Sequence, residues 1–173
     1  MKKYIFLLSG LVIIIGSFIA YSNYENKLVI VPARDAYLNS TIRIKRKVEQ
    51  HLTQLILDAQ KDGMCLIVTS GYRSAVQQEA LYETGSSTGL VADPGSSQHQ
   101  LGTAVDFGGC PMTNGVRDDS AQRLELKQPF ANLPEYQWLV QNASNYGFVQ
   151  TYTATDSAQT GFPAEAWHWN YVK

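Results

Sequence analysis

Residues 97–106 read SQHQLGTAVD, a turn that leads into the start of a strand. Gly102 allows the chain to turn tightly, and side chains along a strand alternate between its two faces. Over residues 103–107 this alternation lets Asp106 face a cleft while Val105 enters the core. The turn is expected to bring His99 back beside Asp106. The stretch therefore predicts that an imidazole and a carboxylate meet at one end of a strand.

A second stretch, Glu165-Ala166-Trp167-His168, precedes a strand predicted over residues 167–172. His168 would add a second imidazole to His99 and Asp106, and this is a ligand set that zinc takes in proteins. Three protein ligands leave the fourth tetrahedral position for water, which is typical of a catalytic zinc rather than a structural one. Glu165, just outside the strand, is placed to reach that water without binding the metal. We interpret Glu165 as a general base.

A third stretch, SGYRS at residues 70–74, supplies a cation. The guanidinium of Arg73 can hold a carboxylate with two parallel hydrogen bonds, or steady a carbonyl oxygen as it gains negative charge. The structural alternative is that Arg73 caps the turn or pairs with a surface acid.

These three stretches, together with YGFV at residues 146–149, resemble the zinc D-Ala-D-Ala carboxypeptidases of the VanY type. That family belongs to a larger group whose metal site is shared with lysostaphin-like enzymes and hedgehog domains. The resemblance covers nearly all of the chain that follows the N-terminal apolar segment. It implies one zinc ion on His99, Asp106 and His168, with Glu165 as base and Arg73 as the anion-binding residue.

The resemblance also implies that Ser97 and Gln78 help to bind the end of the substrate peptide. As alternatives, Ser97 would be a loop capping residue and Gln78 an exposed helix residue. Two positions depart from the family pattern, because Thr151 stands where an arginine is expected and Ala166 where a proline is common. Neither position is a predicted ligand or the base, so zinc binding is expected to survive, whereas substrate preference is open.

The activity implied by the resemblance is removal of a terminal D-alanine from peptidoglycan stem peptides. The alternatives are an L,D-carboxypeptidase acting on tetrapeptide stems and an endopeptidase acting within the cell wall. A catalytically silent zinc domain that binds the wall is an alternative from another class. Glu165 argues against that last reading, since a binding module needs no proton shuttle beside the metal.

The N-terminus indicates export from the cytoplasm. Lys2 and Lys3 precede an apolar run over residues 5–21, as in a secretory signal. Residues 1–22 are interpreted either as a signal peptide cleaved after Ser22 or as an uncleaved signal anchor. By the positive-inside rule the rest of the chain lies outside the cytoplasm, anchored to the membrane or secreted. Residues 23–38 are expected to be a linker, and residues 39–173 the zinc carboxypeptidase domain.

Composition narrows the class of partner. The 173 residues include 14 basic and 15 acidic side chains, a net charge of −1, so no polybasic field favours nucleic acid. No protein partner is implied, and the expected partner is the peptidoglycan stem peptide.

The two cysteines, Cys65 and Cys110, each adjoin an apolar run predicted to be a strand. They form either a disulfide or two buried thiols.

Hydrophobic periodicity predicts an α+β domain in which helices flank a small antiparallel sheet, preceded by an N-terminal hydrophobic helix. Turn-rich stretches over residues 85–95 and 108–115 are expected to be loops. The predicted elements are helices over residues 40–61 (capped by Asn39 or Ser40), 75–82 (with Leu81 inward) and 134–146, and strands over residues 64–69, 103–107, 148–152 and 167–172.

Overall fold

A four-stranded antiparallel sheet forms the centre of the computed structural model, which describes residues 17–36, 40–85, 91–110, 112–113, 116–117 and 130–173. In chain order the strands of the described residues are β1 (Leu28–Ile30), β2 (Arg43–Lys45), β3 (Leu66–Ser70), β4 (Ala104–Gly109), β5 (Met112–Thr113), β6 (Val116–Arg117), β7 (Phe148–Gln150) and β8 (His168–Tyr171). The central sheet has the order β3-β4-β8-β7, and β1-β2 and β5-β6 form separate antiparallel pairs.

Helices pack against this sheet and enclose the core. The α-helices are α1 (Arg46–Lys61), α2 (Ala75–Gly85), α3 (Gln98–Leu101), α4 (Pro134–Asn142) and α5 (Ser157–Thr160), and short 3-10 helices cover Ala33–Asp35, Phe130–Asn132 and Ala143–Tyr146. Buried side chains of α1, including Leu52 and Leu55, meet Phe107 of β4 and Phe148 of β7 in one continuous apolar cluster. The predicted α+β class with a small antiparallel sheet is confirmed.

The first predicted helix begins six residues later than expected. Residues 43–45 form β2, which pairs with β1, and Lys45 rather than Asn39 or Ser40 precedes α1. Ile42 and Ile44 are buried on either side of exposed Arg43, which is the period-two pattern of a strand. The helix was predicted to include Ile44 because it lies four residues before Val48, a spacing that is also typical of a helix. Asn39 lies outside the described residues.

Other boundaries differ by a few residues. The third predicted helix ends at Asn142 and continues as a 3-10 turn, and the predicted strand over 148–152 ends at Gln150. Leu81 was expected to face inward, but it is 37% exposed because α2 covers the edge of a cleft and buries only Gln78. Gly108 and Gly109 extend β4, so the loop expected from residue 108 begins later.

Cys65 and Cys110 form a disulfide, which resolves the alternative left open by the sequence. They flank the paired ends of β3 and β4, where Leu66 lies opposite Gly109, and their Cα atoms are 5.2 Å apart. The bridge joins positions 45 residues apart in sequence. It therefore restricts the unfolded chain across a long loop.

Near the N-terminus, residues 17–25 are helical, and β1 follows within the segment expected to be a linker. Part of that segment thus pairs with the domain through β2. Among the described residues, none of the helices combines the length and apolar character that crossing a bilayer requires. The predicted N-terminal hydrophobic helix falls largely on residues 1–16, which lie outside the described part.

Candidate metal centre

The three predicted ligands meet at one point of the central sheet. Antiparallel pairing of β4 with β8 places Asp106 directly opposite His168, and α3 presents His99 from the turn before β4. The Oδ1 atom of Asp106 lies 3.3 Å from Nε2 of His99 and 3.1 Å from Nδ1 of His168. One ligand atom from each residue lies within 4.8 Å of the other two. The turn at Gly102, with φ of +70°, produces this approach as expected from the sequence.

His99 is held by the backbone of the SGYRS stretch. Its Nδ1 lies 2.7 Å from the carbonyl oxygen of Gly71, so this oxygen can accept a proton from Nδ1 when Nε2 binds a cation. The backbone N–H of Arg73 donates in turn to the carbonyl of His99. The sequence predicted a functional role for Arg73 in this stretch, but not that the carbonyl of Gly71 contacts His99.

Replacing Gly71 with alanine is expected to lower the free energy of unfolding by about 1–3 kcal/mol, the usual cost of overpacking. A Cβ atom at Gly71 would lie 2.6 Å from the carbonyl oxygen of Arg43 and 2.7 Å from a methyl group of Ile42, so β2 would have to move. Denaturant unfolding of the zinc-free protein measures the change. If the variant is as stable as the wild type, Gly71 is not needed for the close packing against Arg43 and Ile42.

Asp106 is poised to remain ionised. Burial alone would raise the pKa of its carboxyl group, but the hydrogen bonds to His168 and His99 outweigh burial and hold the pKa well below its usual range. A carboxylate between two imidazoles is a compact anionic donor set. It favours a cation at the point where the three side chains converge.

Glu165 lies in the same cleft, at the turn before β8. Its backbone N–H donates to the carbonyl of Tyr152, and its own carbonyl accepts from the N–H of His168. Burial, followed by the negative charge of Asp106, raises the pKa of Glu165 to about 7, while the charges of His99 and Arg73 act in the opposite direction. A carboxyl group with a pKa near neutrality can both accept and release a proton at ordinary pH.

Arg73 lines the cleft, and a hydrogen bond to Gln78 holds its guanidinium group. Its Nη1 donates to Oε1 of Gln78 at 2.8 Å, and Nε2 of Gln78 donates to the carbonyl of Ala92 at 2.6 Å. Gln78 is fully buried, in contrast to the alternative of an exposed helix residue. Ser97 also lines the cleft, at the start of α3, but its side chain makes no capping hydrogen bond.

Two further polar residues adjoin the metal centre, and neither was predicted as a site residue. Oε1 of Gln98 lies 3.0 Å from Nε2 of His168, and the hydroxyl of Thr151 donates to the same oxygen at 2.8 Å. The cleft wall beyond them is aromatic, because the ring of Tyr152 packs 5.1 Å from those of His168 and Phe162. Thr151 had been noted only as a departure from a family pattern.

The donor set fits a zinc ion. Two imidazole nitrogens and one carboxylate oxygen converge, and both imidazoles have an acceptor on the ring nitrogen that faces away from Asp106. Ligands of this kind, with outer hydrogen bonds that fix each ring, are characteristic of zinc sites that keep one position open.

Comparison with known proteins agrees with this arrangement. Residues 41–173 match the family model described as VanY, D-alanyl-D-alanine carboxypeptidase. A D-alanyl-D-alanine carboxypeptidase of Enterococcus faecium is 32% identical over 137 residues, which are 78% of this chain and 39% of that protein.

Two solved structures share the fold. The LD-carboxypeptidase LdcB superposes with a TM-score of 0.70 at 29% identity, covering 84% of this chain and 67% of the other. A variant of the vancomycin resistance D,D-pentapeptidase VanY, in complex with Zn(II), superposes with a TM-score of 0.60 at 27% identity. The match covers 87% of this chain and 89% of the other.

The chain spans about half the length of the curated relatives that it matches. The family model nevertheless covers all the elements from β2 to β8, including those that carry the metal centre. The chain therefore belongs to the VanY family of D-alanyl-D-alanine carboxypeptidases.

Proposed function

We propose that this chain is a zinc-dependent carboxypeptidase that removes the terminal D-alanine from peptidoglycan stem peptides. The observation that carries the proposal is the convergence of His99, Asp106 and His168 in a cleft that also contains Glu165 and Arg73. When bound, a zinc ion acts as a Lewis acid toward the scissile carbonyl and the attacking water. The names of the family and of the E. faecium relative support the substrate class.

In this proposal Glu165 moves the protons. It accepts one from the attacking water as the water oxygen bonds to the carbonyl carbon, and it delivers one to the amine of D-alanine as the carbon–nitrogen bond breaks. The pKa of about 7 suits both steps. Backbone hydrogen bonds to Tyr152 and His168 fix the turn that carries Glu165 at the cleft.

Arg73 recognises negative charge, either on the terminal carboxylate or on the carbonyl oxygen in the transition state. We assign Gln78 to the orientation of Arg73 rather than to direct substrate contact, since both ends of its amide are already occupied within the protein. Ser97 remains the proposed polar contact for the peptide end. Its place beside His99 on the cleft wall supports this role.

Changing Arg73 to lysine is expected to lower kcat/KM by at least about tenfold, because an ammonium cannot replace a planar two-pronged donor and a charged hydrogen bond contributes about 1.5–3 kcal/mol. Steady-state kinetics on a pentapeptide measures the change. A rise in KM alone would assign Arg73 to the carboxylate, and a fall in kcat to the carbonyl oxygen. Arg34→Lys, at a side chain that is 67% exposed and outside the cleft, is the matched control.

An L,D-carboxypeptidase is the second candidate, since the LD-carboxypeptidase LdcB shares the fold. The test is to incubate the zinc-loaded chain with pentapeptide, tetrapeptide and cross-linked muropeptides and to weigh the products by mass spectrometry. Loss of one D-alanine from the pentapeptide alone supports the proposal, and cleavage of the tetrapeptide or the cross-link selects one of the other peptidase activities. No cleavage of any substrate would leave the silent wall-binding domain.

We also propose that the domain, residues 39–173, works outside the cytoplasm, with residues 1–22 serving as a signal peptide or a membrane anchor. The Cys65–Cys110 disulfide supports this location, because such bonds persist in oxidising compartments. Lys2, Lys3 and the apolar run that follows support it from the sequence.

A further inference from the structure

The two imidazoles of the metal centre use opposite ring nitrogens. His99 turns Nε2 toward Asp106 and Nδ1 toward the Gly71 carbonyl, whereas His168 turns Nδ1 toward Asp106 and Nε2 toward Gln98. A neutral imidazole offers a lone pair on one nitrogen only, so each ring must carry its proton on the outward nitrogen in order to bind a cation. His99 and His168 therefore need opposite tautomers.

The acceptors that select these tautomers differ in kind. For His99 the acceptor is a backbone carbonyl, which the fold fixes without help from a side chain. For His168 the acceptor is the amide oxygen of Gln98, a half-buried side chain on the one-turn helix α3. An amide can rotate and present its N–H group instead of its oxygen. The lone pair of His168 thus depends on what orients Gln98.

Thr151 provides that orientation. Its hydroxyl lies 2.8 Å from Oε1 of Gln98, the same oxygen that lies 3.0 Å from Nε2 of His168. An oxygen has two lone pairs and can accept from both groups, so the bond to Thr151 holds the amide oxygen in place for an N–H at Nε2 of His168 when Nδ1 binds a cation. Because Thr151 follows β7 directly, the hydrogen bond also ties α3 to the edge of the sheet.

We propose that Gln98 and Thr151 are positioning residues that hold His168 in the tautomer and orientation required for metal binding. The inference rests on the proposed function for the identity of the ion. It goes beyond that function by assigning a second layer of residues to this centre. Thr151 occupies the position where the resemblance implied an arginine, and here it supplies a short hydroxyl donor.

The test measures zinc affinity and the hydrogen bond at Nε2 of His168, neither of which requires turnover. Gln98→Met keeps a side chain of similar length but removes the acceptor, and loss of such an outer partner lowers metal affinity by roughly 10–100-fold. Competition with a chromophoric chelator at constant pH gives the zinc dissociation constant. In the zinc-loaded protein, NMR of the imidazole rings is expected to find a slowly exchanging Nε2–H proton on His168 in the wild type and a faster exchanging one in Gln98→Met, which lacks the acceptor.

Conservative variants separate positioning from simple packing. Gln98→Glu retains an oxygen acceptor and is expected to bind zinc about as tightly as the wild type. Thr151→Val is expected to weaken zinc binding, while Thr151→Ser, which keeps the hydroxyl, restores it. Gln50→Met, on the exposed face of α1, is the matched control.

Wild-type zinc affinity in Gln98→Met together with unchanged exchange of the His168 Nε2–H proton would overturn the inference. Equal losses in Gln98→Met and Gln98→Glu would also overturn it, since only a packing role predicts that pattern. A wild-type chain that binds no zinc would instead contradict the proposed function, so the two failures are distinguishable.

Discussion

Replacing His168 with alanine is expected to remove both the bound zinc and the peptidase activity. In the proposed site His168 offers one of three ligand atoms, and its loss leaves the carboxylate of Asp106 with a single imidazole neighbour. The reduction in zinc affinity should exceed the roughly 10–100-fold cost of losing an outer hydrogen-bond partner, because a direct ligand is removed. Metal content after dialysis, together with turnover of a pentapeptide, measures both effects.

His51 provides the matched control for this experiment. The ring of His51 packs 5.1 Å from that of Tyr171, which lies in the same strand as His168. His51 itself does not line the cleft. His51→Ala should therefore retain zinc and activity, even if packing near β8 is weakened. A His168→Ala protein that still carries one zinc per chain would exclude His168 as a ligand.

The periodicity of the sequence predicted the strands that carry the site because each has a clear pattern. Core residues alternate with the proposed ligands, Val105 and Phe107 on either side of Asp106 in β4, and Trp169 and Tyr171 after His168 in β8, so the two ligand positions followed from period two. The glycine at position 102 correctly indicated the turn that returns His99. The family resemblance then connected stretches that are far apart in the sequence.

Other features depended on contacts that no local pattern records. β2 was merged into a helix because its partner β1 lies in a segment with no periodic signal. Gln98 and Thr151 are 53 residues apart, and their hydrogen bond arises only once α3 meets the end of β7. Gln78 was predicted to bind the peptide end, with an exposed helix residue as the alternative, and neither prediction included its hydrogen bonds to Arg73 and the Ala92 carbonyl. Polar partners of this kind require the tertiary structure.

Changing Glu165 to glutamine is expected to reduce kcat by at least about 10²-fold while zinc remains bound, since general acid–base catalysis contributes about 10²–10⁴. Glutamine has nearly the same shape, but its amide neither accepts a proton from water nor returns one to the leaving amine. The backbone bonds of Glu165 to Tyr152 and His168 do not involve the side chain, so the turn should persist. Kinetics on a pentapeptide, with zinc content measured on the same sample, tests this separation.

The pKa of Glu165 sharpens the interpretation of that result. Burial and the negative charge of Asp106 destabilise the ionised carboxylate of Glu165. A neutral glutamine does not have this electrostatic cost. Glu165→Gln should therefore fold at least as stably as the wild type above pH 7, and lost activity cannot be attributed to unfolding. Glu83→Gln, an exposed position on α2, controls for the substitution itself. If Glu165→Gln turned over substrate at the wild-type rate with zinc in place, the proton shuttle would have to be another group in the cleft, and Tyr152 would be the first to test.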